Sequence, residues 1–322
     1  MPRPHDPSVA DLFESARRGS RAALARLLSL VERGGDSARE VGRLTFPLAG
    51  NAYTVGLTGA PGAGKSTLTG QVIALRRAAG DEVAVLAVDP TSPFTGGAIL
   101  GDRVRMQDHA LDAGVYIRSM ATRGHLGGLA LATPEAVRVL DAVGFRWVLI
   151  ETVGVGQVEV EVAGAADTTI VVVNPGWGDA VQAAKAGLLE IADLFVINKA
   201  DRAGADDARR DLEHMLDLAS LPPDAWRPPI VSTVASTGQG VADVIGAVEA
   251  HRAWLGDGGR LADKRAARAR DELLAIVGER VVQQVRTLRD GEDFTRMCDA
   301  VVAREVDPWT AADELLARVP HT

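Results

Sequence analysis

The sequence is short of several things, and each shortage closes off a class of chemistry. It has one cysteine in 322 residues, Cys298, which excludes an internal disulfide and any metal site built on paired thiolates. Its six histidines, at positions 5, 109, 125, 214, 251 and 321, are scattered and form no ligand cluster. Positive charge is also scarce, with 35 Lys and Arg against 43 Asp and Glu and a net charge of −8. Non-specific nucleic-acid binding rests on neutralising phosphates, so the expected partners are proteins or small anions in a local pocket, not nucleic acid. No apolar run approaches the ~20 residues that span a bilayer, and the amino terminus has no signal core. Asp6, Asp11 and Glu14 also argue against an acid-poor transit peptide. The expectation is a cytoplasmic protein with no membrane contact. Internal repeats and low-complexity tracts are missing as well.

What is present is organised around residues 53–67, YTVGLTGAPGAGKST. Tyr53, Val55 and Leu57 favour a strand, a glycine-rich turn follows, and Lys65, Ser66 and Thr67 open a pattern of helical period. Gly59, Ala60, Pro61, Gly62, Ala63, Gly64, Lys65 and Ser66 fit the phosphate-binding loop GxxxxGK[ST] in its strand and helix context. Glycine lets backbone N–H groups close around a phosphate that a Cβ would push away, and the helix N-terminus adds donors and a positive dipole end. Lys65 would reach the β- and γ-phosphates, and Ser66 Oγ would sit on Mg²⁺.

Around this loop the chain alternates strand and helix signals. Residues 8–32 carry two amphipathic helical runs ending at Gly34-Gly35, an amino-terminal extension of residues 1–45. Strands are expected at 83–88, 115–117, 146–151, 168–173, 194–197 and 230–233, with helices at 68–79, 133–143, 179–190 and 241–254. In the helix at 133–143, Thr133 reads as N-cap and Pro134 as first residue. The segment after Asp89, PTSPFTGGAILGDR, is too rich in Pro, Gly and Thr for regular structure. Such alternation implies an α/β, three-layer domain over residues 46–256 with a mostly parallel sheet and ligands at its carboxyl edge. Residues 256–259 mark a linker into a helical region, 257–322. There Leu274, Val277, Val281, Val285 and Leu288 follow a roughly 3.5-residue seam, and Leu273, Ile276 and Val282 widen it. Such a helix either packs on its own domain or associates with a second subunit, and the widened stripe favours the second.

The base is indicated by Asn198-Lys199-Ala200-Asp201 at a strand end. The Asp201 carboxylate can accept from both N1–H and the 2-amino group of guanine, donors that adenine lacks there. Asn198 would hold the loop and contact N7, and the Lys199 stem would cover the base. Glu151 ends another strand and leads into Thr152-Val153-Gly154; its carboxylate can orient Mg²⁺, and the Gly154 N–H can contact the γ-phosphate. Asp89 and Asp102 supply further hard oxygen ligands. A glutamine that would orient attacking water after the switch glycine is missing; Val155 stands there and Gln157 lies two residues on. Slow hydrolysis in isolation is therefore expected, with Asp179 and Lys185 as candidates for the completing groups.

With these residues in hand, the chain resembles the methylmalonyl-CoA mutase-associated GTPases, once labelled lysine/arginine/ornithine transport kinases, in the metallochaperone-like branch of P-loop GTPases. GAPGAGKST, AVDPTSPFTGGAILGDRVRM, RGHLGG, ETVGVGQ, NKAD, WRPP and DPWTAADELL carry the resemblance. It implies a homodimer built through the carboxyl-terminal helices. It also implies a chaperone that uses GTP to gate adenosylcobalamin loading into an acyl-CoA mutase and to protect or rescue that mutase. It assigns Lys65, Ser66 and Thr67 to phosphates and Mg²⁺, Asp89, Asp102 and Glu151 to the metal, and Asn198, Lys199 and Asp201 to guanine. Asp179 and Lys185 fall in its extra switch. Two positions depart from the family pattern. Trp177 replaces a small residue, and Val234 replaces a serine before Ala235, where backbone N–H groups would still meet guanine O6. Two other readings are a nickel-delivery GTPase for hydrogenase or urease, which would carry the His- or Cys-rich sites lacking here, and a transporter kinase, which would need an acceptor module.

Overall fold

The computed structural model describes residues 7–90, 109, 111–122, 128–152, 164–176, 190–219, 222, 224–289 and 291–317. Among these, seven strands form one sheet: β1 (Tyr53–Gly59), β2 (Val83–Pro90), β3 (Val115–Thr122), β4 (Trp147–Thr152), β5 (Thr168–Val173), β6 (Leu194–Asn198) and β7 (Ile230–Thr233). Their order is β3-β2-β4-β1-β5-β6-β7 and every pairing is parallel. The helices are α1 (Val9–Arg17), α2 (Arg21–Arg33), α3 (Gly35–Thr45), α4 (Lys65–Ala78), α5 (Gly128–Ala142), α6 (Ala205–Leu218), α7 (Val241–Gly256), α8 (Arg260–Arg289), α9 (Glu292–Val302) and α10 (Pro308–Leu316).

Both faces of the sheet are apolar because both are covered, which explains the near-continuous hydrophobic strands. In β2, Val83 and Val85 join α4 and α7 in one core, through Leu68, Val72, Ile73, Val244 and Val248. Ala84, Leu86 and Val88 point the other way, into a core shared with α1, α2, α3 and α5. Leu212 and Leu216 of α6 cover Val171, Val173, Phe195 and Ile197. The amino-terminal helices are thus a wall of the sheet's second core. None of the described helices is long and apolar enough to cross a membrane.

The structure corrects several expected boundaries. A third helix, α3, begins directly at Gly35; Gly34 and Gly35 turn the chain with φ of 73° and 77°, and Ala38, Val41 and Thr45 bury at helical spacing. β3 continues to Thr122, held along its length by β2 from Val83 to Pro90. α5 starts at Gly128, so Pro134 lies inside the helix and not at its first position. The Thr133 hydroxyl is buried without a hydrogen-bond partner among the described residues, consistent with an interior position and not a cap. The expected linker is one 3₁₀ turn, Asp257–Gly259, in which Gly258 takes a φ of 63°.

The chain packs as two units, one running to Arg268 and a second from Ala269 onward. In the second, Asp307 caps α10 by accepting from the Trp309 and Thr310 N–H groups at 2.9 and 3.1 Å, with Pro308 at the first helical position. Among its described residues only Ala311 is buried, while Leu273, Leu274, Val277, Val281, Val282, Val302 and Trp309 are exposed.

At the sheet's amino edge sits a buried polar chain. Tyr53 Oη lies 2.6 Å from Thr168 Oγ1, which lies 2.8 Å from His251 Nδ1, and His251 Nε2 faces Asp193 Oδ1 at 3.4 Å. With the Nε2–H directed at Asp193, Nδ1 accepts from Thr168 and Tyr53 donates to Thr168. Burial, opposed by the Asp193 charge, lowers the His251 pKa, and burial pushes the Tyr53 hydroxyl up to about 12.

Candidate functional site at the carboxyl edge of the sheet

Strand register brings the sequence-predicted residues to one edge. Glu151 lies level with Leu57 on one side and Ala87 on the other, Gly59 pairs with Val172, and Asn198 pairs with Thr233. From Gly59 the chain passes through Ala60, Pro61, Gly62 and Ala63 to Gly64, a left-handed residue (φ 94°) directly before α4. Two glycines there are dictated by contact. A Cβ on Gly59 would stand 2.0 Å from the Val172 carbonyl oxygen, and one on Gly64 would stand 2.2 Å from Asn198 Nδ2. The loop can therefore approach its neighbouring strands only without side chains at those positions.

Lys65 and Ser66 are buried at the start of α4, while Thr67 is on its exposed side. Lys65 Nζ donates to the Gly59 and Ala60 carbonyls at 2.7 and 3.1 Å, so the ammonium lies along the loop. Ser66 Oγ donates to Glu151 Oε1 at 2.6 Å. Glu151 is only 1% exposed, and its carboxylate faces the serine across the junction of β1, β4 and α4. Serine hydroxyl and carboxylate side by side at a phosphate-type loop are hard oxygen donors of the sort Mg²⁺ selects. Asp89 is the penultimate residue of β2, paired with Ala121.

Asn198 ties this loop to a second. Its Nδ2 donates to the Ala63 carbonyl at 2.8 Å, and its Oδ1 accepts from Thr233 Oγ1 and the Ala235 N–H at 3.1 and 3.0 Å. Lys199 has a left-handed backbone (φ 59°), and its Nζ donates to the Gly62 carbonyl at 2.6 Å. Asp201 follows in an exposed turn. The Val234 N–H donates to the Gln239 carbonyl at 3.0 Å. With the Ala235 N–H on Asn198, both backbone donors expected for O6 are engaged within the protein.

Asp102, Gly154, Asp179 and Lys185 lie outside the described residues, as do His125, Gln157 and Trp177. Sequence reasoning passed over three threonines that line the same edge. Thr152 Oγ1 donates to Thr58 Oγ1 at 3.3 Å, and Thr233 supports Asn198. Their signal was a threonine at or next to the carboxyl end of three strands.

Residues 24–290 match the family model described as "Methylmalonyl Co-A mutase-associated GTPase MeaB". The chain belongs to the MeaB family. A relative from Pyrococcus abyssi, provisionally named a GTPase, is 49% identical over 313 residues, 97% of each chain. The mitochondrial methylmalonic aciduria type A homolog of Mus musculus is 33% identical over 96% of this chain and 79% of its own length. Among solved structures, one titled as a LAO/AO transport system kinase superposes with a TM-score of 0.72 at 29% identity, covering 96% of both chains. The MeaB-family match thus spans the sheet, the loop before α4 and all of α8.

Proposed function

We propose that this MeaB-family GTPase binds magnesium-bound GTP at the carboxyl edge of its sheet and hydrolyses it. In this reading the GTP cycle gates adenosylcobalamin loading into an acyl-CoA mutase, methylmalonyl-CoA mutase, and protects or reactivates that mutase. The observation that carries the nucleotide part is the meeting, at one edge, of the loop before α4, the Ser66–Glu151 contact and the Asn198 clamp. The mutase is proposed from the family description and from the name of the murine relative.

Each residue has a task in this reading. Backbone N–H groups of residues 60–67 bind the phosphates, and Lys65 exchanges the Gly59 and Ala60 carbonyls for phosphate oxygens. Ser66 Oγ and Glu151 hold Mg²⁺, with Asp89 and Asp102 as further carboxylates, and the ion neutralises charge on the phosphates. Asn198 holds the base-side loop, Asp201 reads the guanine N1–H and 2-amino group, and the stem of Lys199 covers the ring. Val234 and Ala235 contribute their backbone to the base pocket once their N–H groups are released. Gly154 senses the γ-phosphate. Asp179 and Lys185 complete the catalytic site when the mutase is bound, which leaves hydrolysis slow in isolation.

The exposed stripe of α8, in which Leu274, Val277 and Val281 are each at least half exposed, supports a homodimer built through residues 257–322. The test is twofold. Competition titration should show GTP and GDP displacing a fluorescent guanine nucleotide at concentrations at which ATP does not. An adenosylcobalamin-dependent mutase should then co-purify with the chain in a GTP-dependent manner. Equal competition by ATP would end the guanine assignment, and nucleotide-independent absence of any complex would end the chaperone assignment.

A further inference from the structure

The first nine residues of α8 do something that its apolar seam does not. Cations stand at Arg260, Lys264, Arg265 and Arg268, a spacing that places them on one face of a helix. Positive side chains in the opening turns of a helix oppose its dipole, so partners outside the helix must compensate. Those partners are at the amino edge of the sheet, opposite the phosphate-type loop.

The centre of the arrangement is Asp167, directly before β5, with a side chain 1% exposed. Arg265 Nη2 and Nε donate to its two carboxylate oxygens at 2.6 and 3.1 Å, and Arg268 Nη2 donates to Oδ1 at 3.1 Å. The same carboxylate accepts the Thr54 N–H at 3.0 Å. Thr54 is the second residue of β1, the strand that ends at Gly59. Arg265 also donates to the Gly50 and Ala52 carbonyls at 2.7 Å each, and Arg268 to those of Ala165 and Ala166 at 3.0 and 3.1 Å. Lys264 Nζ bridges the Asp167 carbonyl at 2.8 Å and Asp193 Oδ2 at 3.1 Å. Arg260 lies over the Trp254 ring and donates to the Trp254 carbonyl at 3.2 Å. Burial opposes the charge on Asp167, but the Arg265 hydrogen bonds and the Arg268 and Arg265 charges outweigh it and hold the carboxyl below its ordinary range. The division of the chain into two packed units falls immediately after these contacts, at Arg268, inside one continuous helix.

We propose that Asp167 is a socket that builds residues 260–268 of α8 into the GTPase body, with Lys264, Arg265 and Arg268 as the positioning residues that seat this stretch at the base of β5 and of β1, the strand that feeds the nucleotide loop. The socket stands on these contacts and does not depend on the dimer reading.

The experiment uses the full chain and the variants Asp167→Asn and Arg268→Gln. Amide hydrogen exchange is followed by mass spectrometry on peptides covering 260–268, alongside light scattering for association and titration with a fluorescent GDP analogue. Expected is at least a tenfold acceleration of exchange over 260–268 in both variants. GDP affinity should stay within about twofold of wild type. Unchanged exchange over 260–268 in both variants would overturn the socket. If Asp167→Asn does not fold, Arg268→Gln, at a side chain 22% exposed, decides alone. A wild-type chain that stays monomeric would remove the dimer reading and not the socket, because the exchange comparison does not depend on association.

Discussion

Asn198 donates from Nδ2 to the Ala63 carbonyl at 2.8 Å, so one buried amide joins the end of β6 to the loop in front of α4. Its other amide atom is equally committed, to Thr233 Oγ1 and the Ala235 N–H. A side chain that ties its own strand to two other segments fixes the distance between the phosphate end and the base end of the proposed pocket.

Replacing Asn198 by Ala strands the Ala63 carbonyl and the Ala235 N–H, each at about 1–3 kcal/mol when buried. Guanine-nucleotide affinity is expected to fall by about 30-fold or more, measured by calorimetry, with a lower thermal midpoint. Asn198→Asp should be no better, since a carboxylate cannot donate to Ala63. Wild-type affinity in both variants would remove Asn198 from the site.

Two glycines of one loop should respond differently. Gly64→Ala places a methyl 2.2 Å from Asn198 Nδ2 on a left-handed backbone, whereas Gly62→Ala meets nothing within 4 Å and carries only the strain of its φ of 75°. The first is expected to abolish nucleotide binding and the second to cost about 1–2 kcal/mol of stability. Chemical denaturation and nucleotide titration on both variants test the ordering; equal effects would contradict the contact argument.

His251 sets a pH dependence remote from the nucleotide. Its folded pKa is depressed below the ordinary 6.5, first by burial. Above that value both folded and unfolded chains hold it neutral. Below it the unfolded chain takes up a proton that the native chain refuses, so stability falls as pH drops from 6.5 towards the folded value, by at most about 1.4 kcal/mol per pH unit. Asp167, lowered below 3.8, adds nothing to that window. Urea midpoints at pH 7.5 and 5.5 should therefore converge in His251→Gln relative to wild type. Parallel shifts in both proteins would refute the assignment.

Trp147, Trp226 and Trp254 belong to the amino edge of the sheet, where Arg76 lies 3.7 Å from the Trp147 ring centre and Trp226 and Trp254 flank His251. Their emission should be indifferent to what occupies the opposite edge. A difference in tryptophan emission between GDP and GTP-analogue states then leaves Trp177 and the exposed Trp309 of α10 as its sources, and Trp177→Phe should lose the part that belongs to Trp177. Identical spectra for variant and wild type would refute this.

Much of this was readable from the residues, for reasons that differ by element. Strands buried on both faces announce themselves as aliphatic runs, and the loop before α4 has a spacing set by backbone contact with a phosphate, so both were legible without coordinates. α3 was missed because two adjacent glycines look like a terminus and its buried positions are few and small. The contacts of the opening of α8 were not legible because the seam of 274, 277, 281 and 285 is local, whereas the one acid that Arg265 and Arg268 share, Asp167, comes from about a hundred residues earlier. The engagement of the Val234 and Ala235 N–H groups likewise depends on chain partners that no local pattern announces.

Lys65 keeps its ammonium on two carbonyls of the very loop it serves. The charge is thus steered by the loop's own backbone. An altered turn at Gly59 or Ala60 should shift it even where the lysine itself is intact.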